Sequence, residues 1–184
     1  MKLKYIFVDE NTYEGLHSVS LKGKDVLERV FGQWEDVSYV RNYCTNNLSH
    51  LQNGYYGDID LEQAIKEIVE EVAVLREKII STNRWEELFQ ALNDNQTGYS
   101  DLSKVKVKLK RQGKPIRKLR LYGIRISKNT FIVTGGSIKV THQMDGHDDT
   151  IKENDKIESL RNWLIEKEIY TEENLKEYYD EQNN

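Results

Sequence analysis

Lys104, Lys106, Lys108 and Lys110 alternate with apolar residues, and Arg111, Arg117, Lys118, Arg120, Tyr122 and Arg125 follow closely. Side chains of these types can neutralise the phosphates of an RNA or DNA backbone, each contact steepening the salt dependence of affinity. Tyr122 adds a flat ring on which a base can stack, worth about 1–3 kcal/mol in such sites. The lysine alternation has a second reading, a solvated edge strand that charge protects from aggregation. For Lys118, Arg120, Tyr122 and Arg125 the segment itself supplies no partners, because no Asp or Glu occurs between Leu102 and Met144. That favours an external anion, unless the acidic flanks neutralise the segment within the fold.

Twelve of the chain's 27 Lys and Arg lie between Leu102 and Met144. Residues 1–101 hold 10 basic and 18 acidic groups, and residues 145–184 hold 5 and 13, so formal charge runs −8, +12, −8 along the chain. The net charge of −4 argues against non-specific nucleic-acid binding by the whole molecule and leaves a local anionic partner open. At 184 residues, with 38% apolar and 32% charged residues, the chain can bury a sizeable core as one compact unit. Within that unit, residues 1–101 form an acidic, mostly helical region, and residues 102–184 a basic sheet with C-terminal helices. Cys44 is the only cysteine, so no internal disulfide forms. The N-terminus MKLKYIFVDENTYE lacks the apolar core and cleavage site of a signal peptide, and no apolar run approaches the roughly 18 residues of a membrane span. A cytoplasmic protein with no membrane association is expected.

The elements that must position the cations follow from periodicity. Residues 2–8 predict a strand, with a weaker one over Leu16–Leu21 completing a hairpin. Val26, Leu27, Val30, Phe31 and Trp34 stand at helical spacing, a second short helix covers Asp36–Tyr43, and Asn46–Gly57 reads as loop. Asp60 caps the clearest helix, with Gln63 placed to complete a box. Its apolar face runs from Leu61 to Ile79, and five acids between Glu62 and Glu77 line the other. Trp85–Leu92 predicts a further helix. Lys104–Lys110 predicts a strand, and Arg111–Pro115 a turn around Gly113. Along Ile116–Ile126 the alternation breaks: an extra residue at Gly123 would restore one apolar face and leave Arg120, Tyr122 and Arg125 together on the other. Strands over Thr130–Thr134 and Ser137–Thr141 follow, then a helix with a Thr150/Glu153 capping box, then one from about Thr171. The expected class is α+β, an antiparallel sheet formed mainly by 104–141 and flanked by helices from both ends of the chain.

The run LRLYGIRISKNTFIVTGGSIKVT, followed by a polar stretch and a helix, resembles the C-terminal half of RelE/HigB-type toxins of toxin–antitoxin pairs, over about residues 102–166. Arg120 and Tyr122 match that family's Arg-rich strand, Gly135-Gly136 its turn and Lys139 the basic position after it. The resemblance implies a ribosome-dependent mRNA endonuclease silenced by an antitoxin protein. In such chemistry the RNA 2′-hydroxyl is the nucleophile; one group removes its proton, cations stabilise the phosphorane, and an acid protonates the leaving oxygen. The roles it implies are phosphate stabilisation for Arg120, Arg125 and Lys139, stacking or proton transfer for Tyr122, and acid/base work for His142. The chain is longer than such toxins, and nothing in the resemblance accounts for its first hundred residues.

Weaker signals carry no site. His142–Asp149 gathers two histidines and three aspartates without a second cluster to complete a shell, so no metal or other cofactor is expected. Trp34, Trp85 and Trp163 read as core, and Cys44 lacks a base nearby in sequence. Beside the RNase stands a non-catalytic nucleic-acid- or protein-binding module on the same basic sheet, and a form of it in which the acidic helix Glu62–Glu77 masks that sheet.

Overall fold

A computed structural model of the chain describes residues 1–52, 59–92, 102–107, 118–140 and 148–183. Two strands, β1 (Lys2–Val8) and β2 (Gly15–Leu21), form the expected antiparallel hairpin. A two-residue strand β3 (Lys24–Asp25) pairs with β2 and leads into α1 (Val26–Glu35) and α2 (Val37–Asn46). Each helix starts on an aspartate: Asp25 accepts from the Glu28 amide, and Asp36 from Ser38 and Tyr39. The short α3 (Leu48–Gln52) lies where a loop was expected, with Leu51 fully buried. Then comes α4 (Leu61–Ser81), capped by Asp60 as its sequence predicts, although the Gln63 side chain donates forward to Glu67 rather than back to the cap.

Trp85–Leu92 is not a helix. A single 3-10 turn at Trp85–Glu87 gives way to β4 (Phe89–Ala91), because Phe89 and Ala91 pair with Val107 and Val105 of β5 (Ser103–Val107). Strands β6 (Leu119–Arg125) and β7 (Phe131–Ile138) complete the sheet, followed by α5 (Asp148–Glu166) and α6 (Glu172–Asn183). The two strands expected at 130–134 and 137–141 are one strand, with Gly135 and Gly136 inside it. Helix α5 begins two residues ahead of Thr150, so Thr150 and Glu153 are buried side chains rather than a capping box.

The α+β class is as expected, and the sheet is larger than the basic segment alone supplies. Among the described residues seven strands run in the order β1-β2-β7-β6-β5-β4, with β3 beside β2. Neighbours are antiparallel except β2 and β7, which pair in parallel. Helices cover both faces. Trp34 of α1 rests on Gly136, while Glu153 of α5 rests on Gly135, the adjacent residue that points the other way. The β6–β7 register shifts between Tyr122 and Gly123, where a break in alternation was expected. The extra residue, however, is Thr134 on β7; β6 stays in regular register with β5. Gly123 is needed for this close approach, since a Cβ there would stand 2.4 Å from the Ile132 carbonyl oxygen. Gly123→Ala should therefore part the strands and lower stability by about 3 kcal/mol, read as a shift in urea midpoint; an unchanged midpoint would contradict the bulge geometry.

Candidate functional site

Cross-strand pairing decides which cations share a face. Lys106 pairs with Tyr122, and Tyr122 with Gly135; Arg120 pairs with Ser137 and Lys104 with Ile124. Paired residues project to the same side, so Lys104, Lys106, Arg120 and Tyr122 stand on the side of Gly135, beneath α5. Of the expected group Arg120, Tyr122 and Arg125, the first two do share a face, but that face is interior. Arg120 is 3% exposed and Tyr122 1% exposed. Arg120 donates to the Leu119 carbonyl at 2.7 Å, and the Tyr122 hydroxyl accepts from Ser137 at 3.3 Å. Arg125 does not join them. With β6 in regular register, it takes the parity of Leu119 and Leu121 and projects to the opposite side.

The acidic flanks supply the carboxylates that the basic segment lacks. Lys104 pairs with Glu158 of α5 and lies within 3.5 Å of Asn154. Lys118 is 2% exposed, and its ammonium meets Glu67 of α4 at 2.5 Å. Lys106 donates to the Leu92 carbonyl at 2.7 Å. Both acidic helices take part: Glu67 of α4 neutralises Lys118, and Glu158 of α5 neutralises Lys104.

Lys139 is half-buried just beyond β7, where its amide donates to the Lys118 carbonyl. Arg125 and Leu119 bound β6 and pair with Phe131 and Ile138, so Arg125 and Lys139 stand near opposite ends of the β6–β7 ladder. Six strand steps separate those ends by roughly 20 Å. A single phosphate cannot be gripped by both. Lys108, Lys110, Arg111, Arg117 and His142 lie outside the described residues. The described part of the expected catalytic set is therefore not assembled around one reacting group.

A cavity of about 220 Å³ opens where α1, α2, β7 and α5 meet. Arg29, Gln33, Tyr39, Tyr43, Lys152, Lys156, Asp149 and Glu153 line it over the Gly136–Ile138 backbone. Glu153 is 5% exposed; Lys156 pairs with one of its oxygens, and the other, Oε2, has no hydrogen-bond partner among the described residues. Burial raises the Glu153 pKa against the opposing pull of Lys156 and Arg29. The Tyr43 hydroxyl donates to the Ile138 carbonyl at 2.9 Å, and burial raises its pKa as well. Compared with known proteins, the chain matches no protein-family model, no curated protein and no solved structure. None of these cavity residues stands out in the sequence, where Glu153 reads as a cap and Gly135-Gly136 as a turn. Two glycines within a strand were the available signal, since they mark close approach from both faces.

Among the described residues no group of three His, Cys, Asp or Glu is placed to hold a metal, and no helix is long and apolar enough to cross a membrane. Cys44 is fully buried, and that burial pushes its pKa up to about 11, the reverse of an activated thiol.

Proposed function

We propose that the chain is a nucleic-acid-binding module whose basic sheet is held under its own acidic helices. The observation that carries this reading is the burial of Arg120 and Tyr122 on the face that α5 packs against, with Glu158 of α5 neutralising Lys104. Five of the segment's twelve cations fall in 108–117, a run of sequence with no acid to neutralise them. The resemblance of 102–166 to RelE/HigB-type toxins points to RNA as the polymer. Cleavage through Arg120 and Tyr122 has less support, because a buried guanidinium and a buried ring cannot touch a phosphate or a base without α5 moving away.

The test is fluorescence anisotropy of the intact chain with a labelled single-stranded RNA at low and moderate salt, followed by a gel of the same RNA. Masked binding gives intact RNA and weak, steeply salt-dependent association. Glu158→Gln, which frees Lys104, should tighten it about threefold, whereas Glu173→Gln on the exposed start of α6 should change it little. RNA cut by the purified chain, with cutting lost in Arg120→Ala and Lys139→Ala, would replace this reading with the toxin-like endoribonuclease. No binding by either the parent or Glu158→Gln would remove both.

A further inference from the structure

The cavity between α1, α2, β7 and α5 has a surplus of cations inside an acidic protein. Three of its side chains, Arg29, Lys152 and Lys156, are positive, and two, Asp149 and Glu153, are negative. The carboxylates already have lysines: Glu153 pairs with Lys156, and Asp149 lies 3.7 Å from Lys152. Arg29 is close enough for its charge to act on Glu153 and Tyr39, but it is not paired with either. Its guanidinium makes no hydrogen bond or ion pair among the described residues, nor does the Gln33 amide or the Tyr39 hydroxyl. Successive turns of α1 place Arg29 and Gln33 on one side of the cavity. Tyr39 stacks on Tyr43 at 6.4 Å and forms a flat wall. The floor is strand backbone at Gly136–Ile138, with Trp34 seated against Gly136.

Unengaged donors converging on a concave, partly apolar pocket are the features by which a protein holds a small ligand. Their character selects its charge. A guanidinium presents paired N–H groups that match the two oxygens of a carboxylate or phosphate. The amide of Gln33 and the hydroxyl of Tyr39 add neutral donors to the same anion. A cation is disfavoured, since three positive side chains face two carboxylates, each with a lysine within 4 Å, and Arg29 would repel it. The volume, about 220 Å³, is below the range typical of drug-sized ligands, so the anion belongs to a compact molecule.

We propose that this cavity is a binding site for a small polar molecule carrying a carboxylate or phosphate group, with Arg29 as the principal anion contact and Gln33 and Tyr39 as supporting donors. The site is independent of the nucleic-acid reading, because it uses neither Lys104 nor Arg120 nor Tyr122. Glu153 and Lys156 form its inner wall and hold α5 against Gly135, so an occupied site would also tie α5 to α1.

The test uses the full chain labelled with nitrogen-15, titrated at low ionic strength with inorganic phosphate and, separately, with malonate. Saturable shifts at Arg29, Gln33, Tyr39 and the Gly136–Ile138 amides are expected for at least one probe below about 50 mM. Saturation by phosphate alone assigns a phosphate ligand, by malonate alone a carboxylate, and by both the shared anion chemistry. Arg29→Ala should weaken binding at least about tenfold, as the loss of a charge-assisted pair implies. Arg29 is exposed, so that variant keeps its fold; Gln33→Ala, with a smaller loss, provides a second readout. Arg84→Ala, which removes an exposed arginine paired with Glu87 elsewhere, should titrate like the parent. Absence of saturation with either probe, or equal titration of the parent and Arg29→Ala, would overturn the site.

Discussion

Glu71→Ala should lower the unfolding free energy by about 3 kcal/mol, with Glu71→Gln losing about half as much. Glu71 sits on α4, is 2% exposed, and accepts two backbone amides at the entrance to β6, Lys118 at 2.9 Å and Leu119 at 3.3 Å. The Lys118 ammonium is sealed beside it against Glu67. Removing the carboxylate leaves two buried N–H groups without these acceptors, and each such group costs about 1–3 kcal/mol. Glutamine keeps one acceptor oxygen and loses the charge, hence the smaller effect. Urea unfolding at pH 7 reads both, provided the slope with denaturant is unchanged. A loss under about 1 kcal/mol for the alanine variant would mean that α4 does not anchor the start of β6.

Acidification from pH 6.5 to about 4 should remove roughly 3 kcal/mol of stability through His17 alone. His17 lies in β2, fully buried, with Nε2 donating to the Tyr13 carbonyl at 3.0 Å. A carbonyl can only accept, so Nε2 carries the proton and Nδ1 is the acceptor for the Tyr179 hydroxyl at 2.9 Å. The ring also stacks on Tyr179, which packs with Tyr5, Tyr13 and Tyr178. Burial depresses the His17 pKa to about 4, against the opposing pull of the Tyr13 carbonyl and of Glu172. Below the unfolded value of 6.5 the unfolded chain binds a proton that the folded chain refuses. Stability is therefore full above pH 6.5 and is lost as pH falls through about 4. Glu153, whose folded pKa is raised, acts in the opposite sense, so the contribution must be isolated by difference. His17→Gln should be less stable than the parent at pH 7 and show a flatter decline between pH 6.5 and 4. Parallel pH profiles for the two proteins would falsify the neutral, buried assignment.

These two positions show where sequence reasoning reaches and where it stops. The Asp60 cap and the apolar face of α4 were legible because a cap and its helix are local: the donors lie within three residues of the acceptor. Glu71 on the same helix read as one more acid on a solvated face, since its partners are 47 and 48 residues away. His17 drew no attention because its ligand on α6 is 162 residues distant. The Trp85–Leu92 segment was misread as helix because β4 exists only by pairing with β5. The disturbance at Gly123 was visible as a break in period, but the strand carrying the extra residue was not.

By itself, then, the sequence determined the α+β class, the capped α4, the N-terminal hairpin, and a +12 segment between two acidic flanks. It also placed Arg120 and Tyr122 on one side of their strand, and Lys104 and Lys106 on one side of theirs, because periodicity sets parity within a strand; cross-strand register put all four on the same side and Arg125 on the other. Only the tertiary structure decided that this side is interior. Periodicity fixes parity within a strand but carries no information about what lies above it, and the cover here comes from α5, more than twenty residues beyond β6. The same packing brought Arg29, Gln33, Tyr39 and Glu153 from three separate helices around one cavity, an arrangement with no local spacing to announce it.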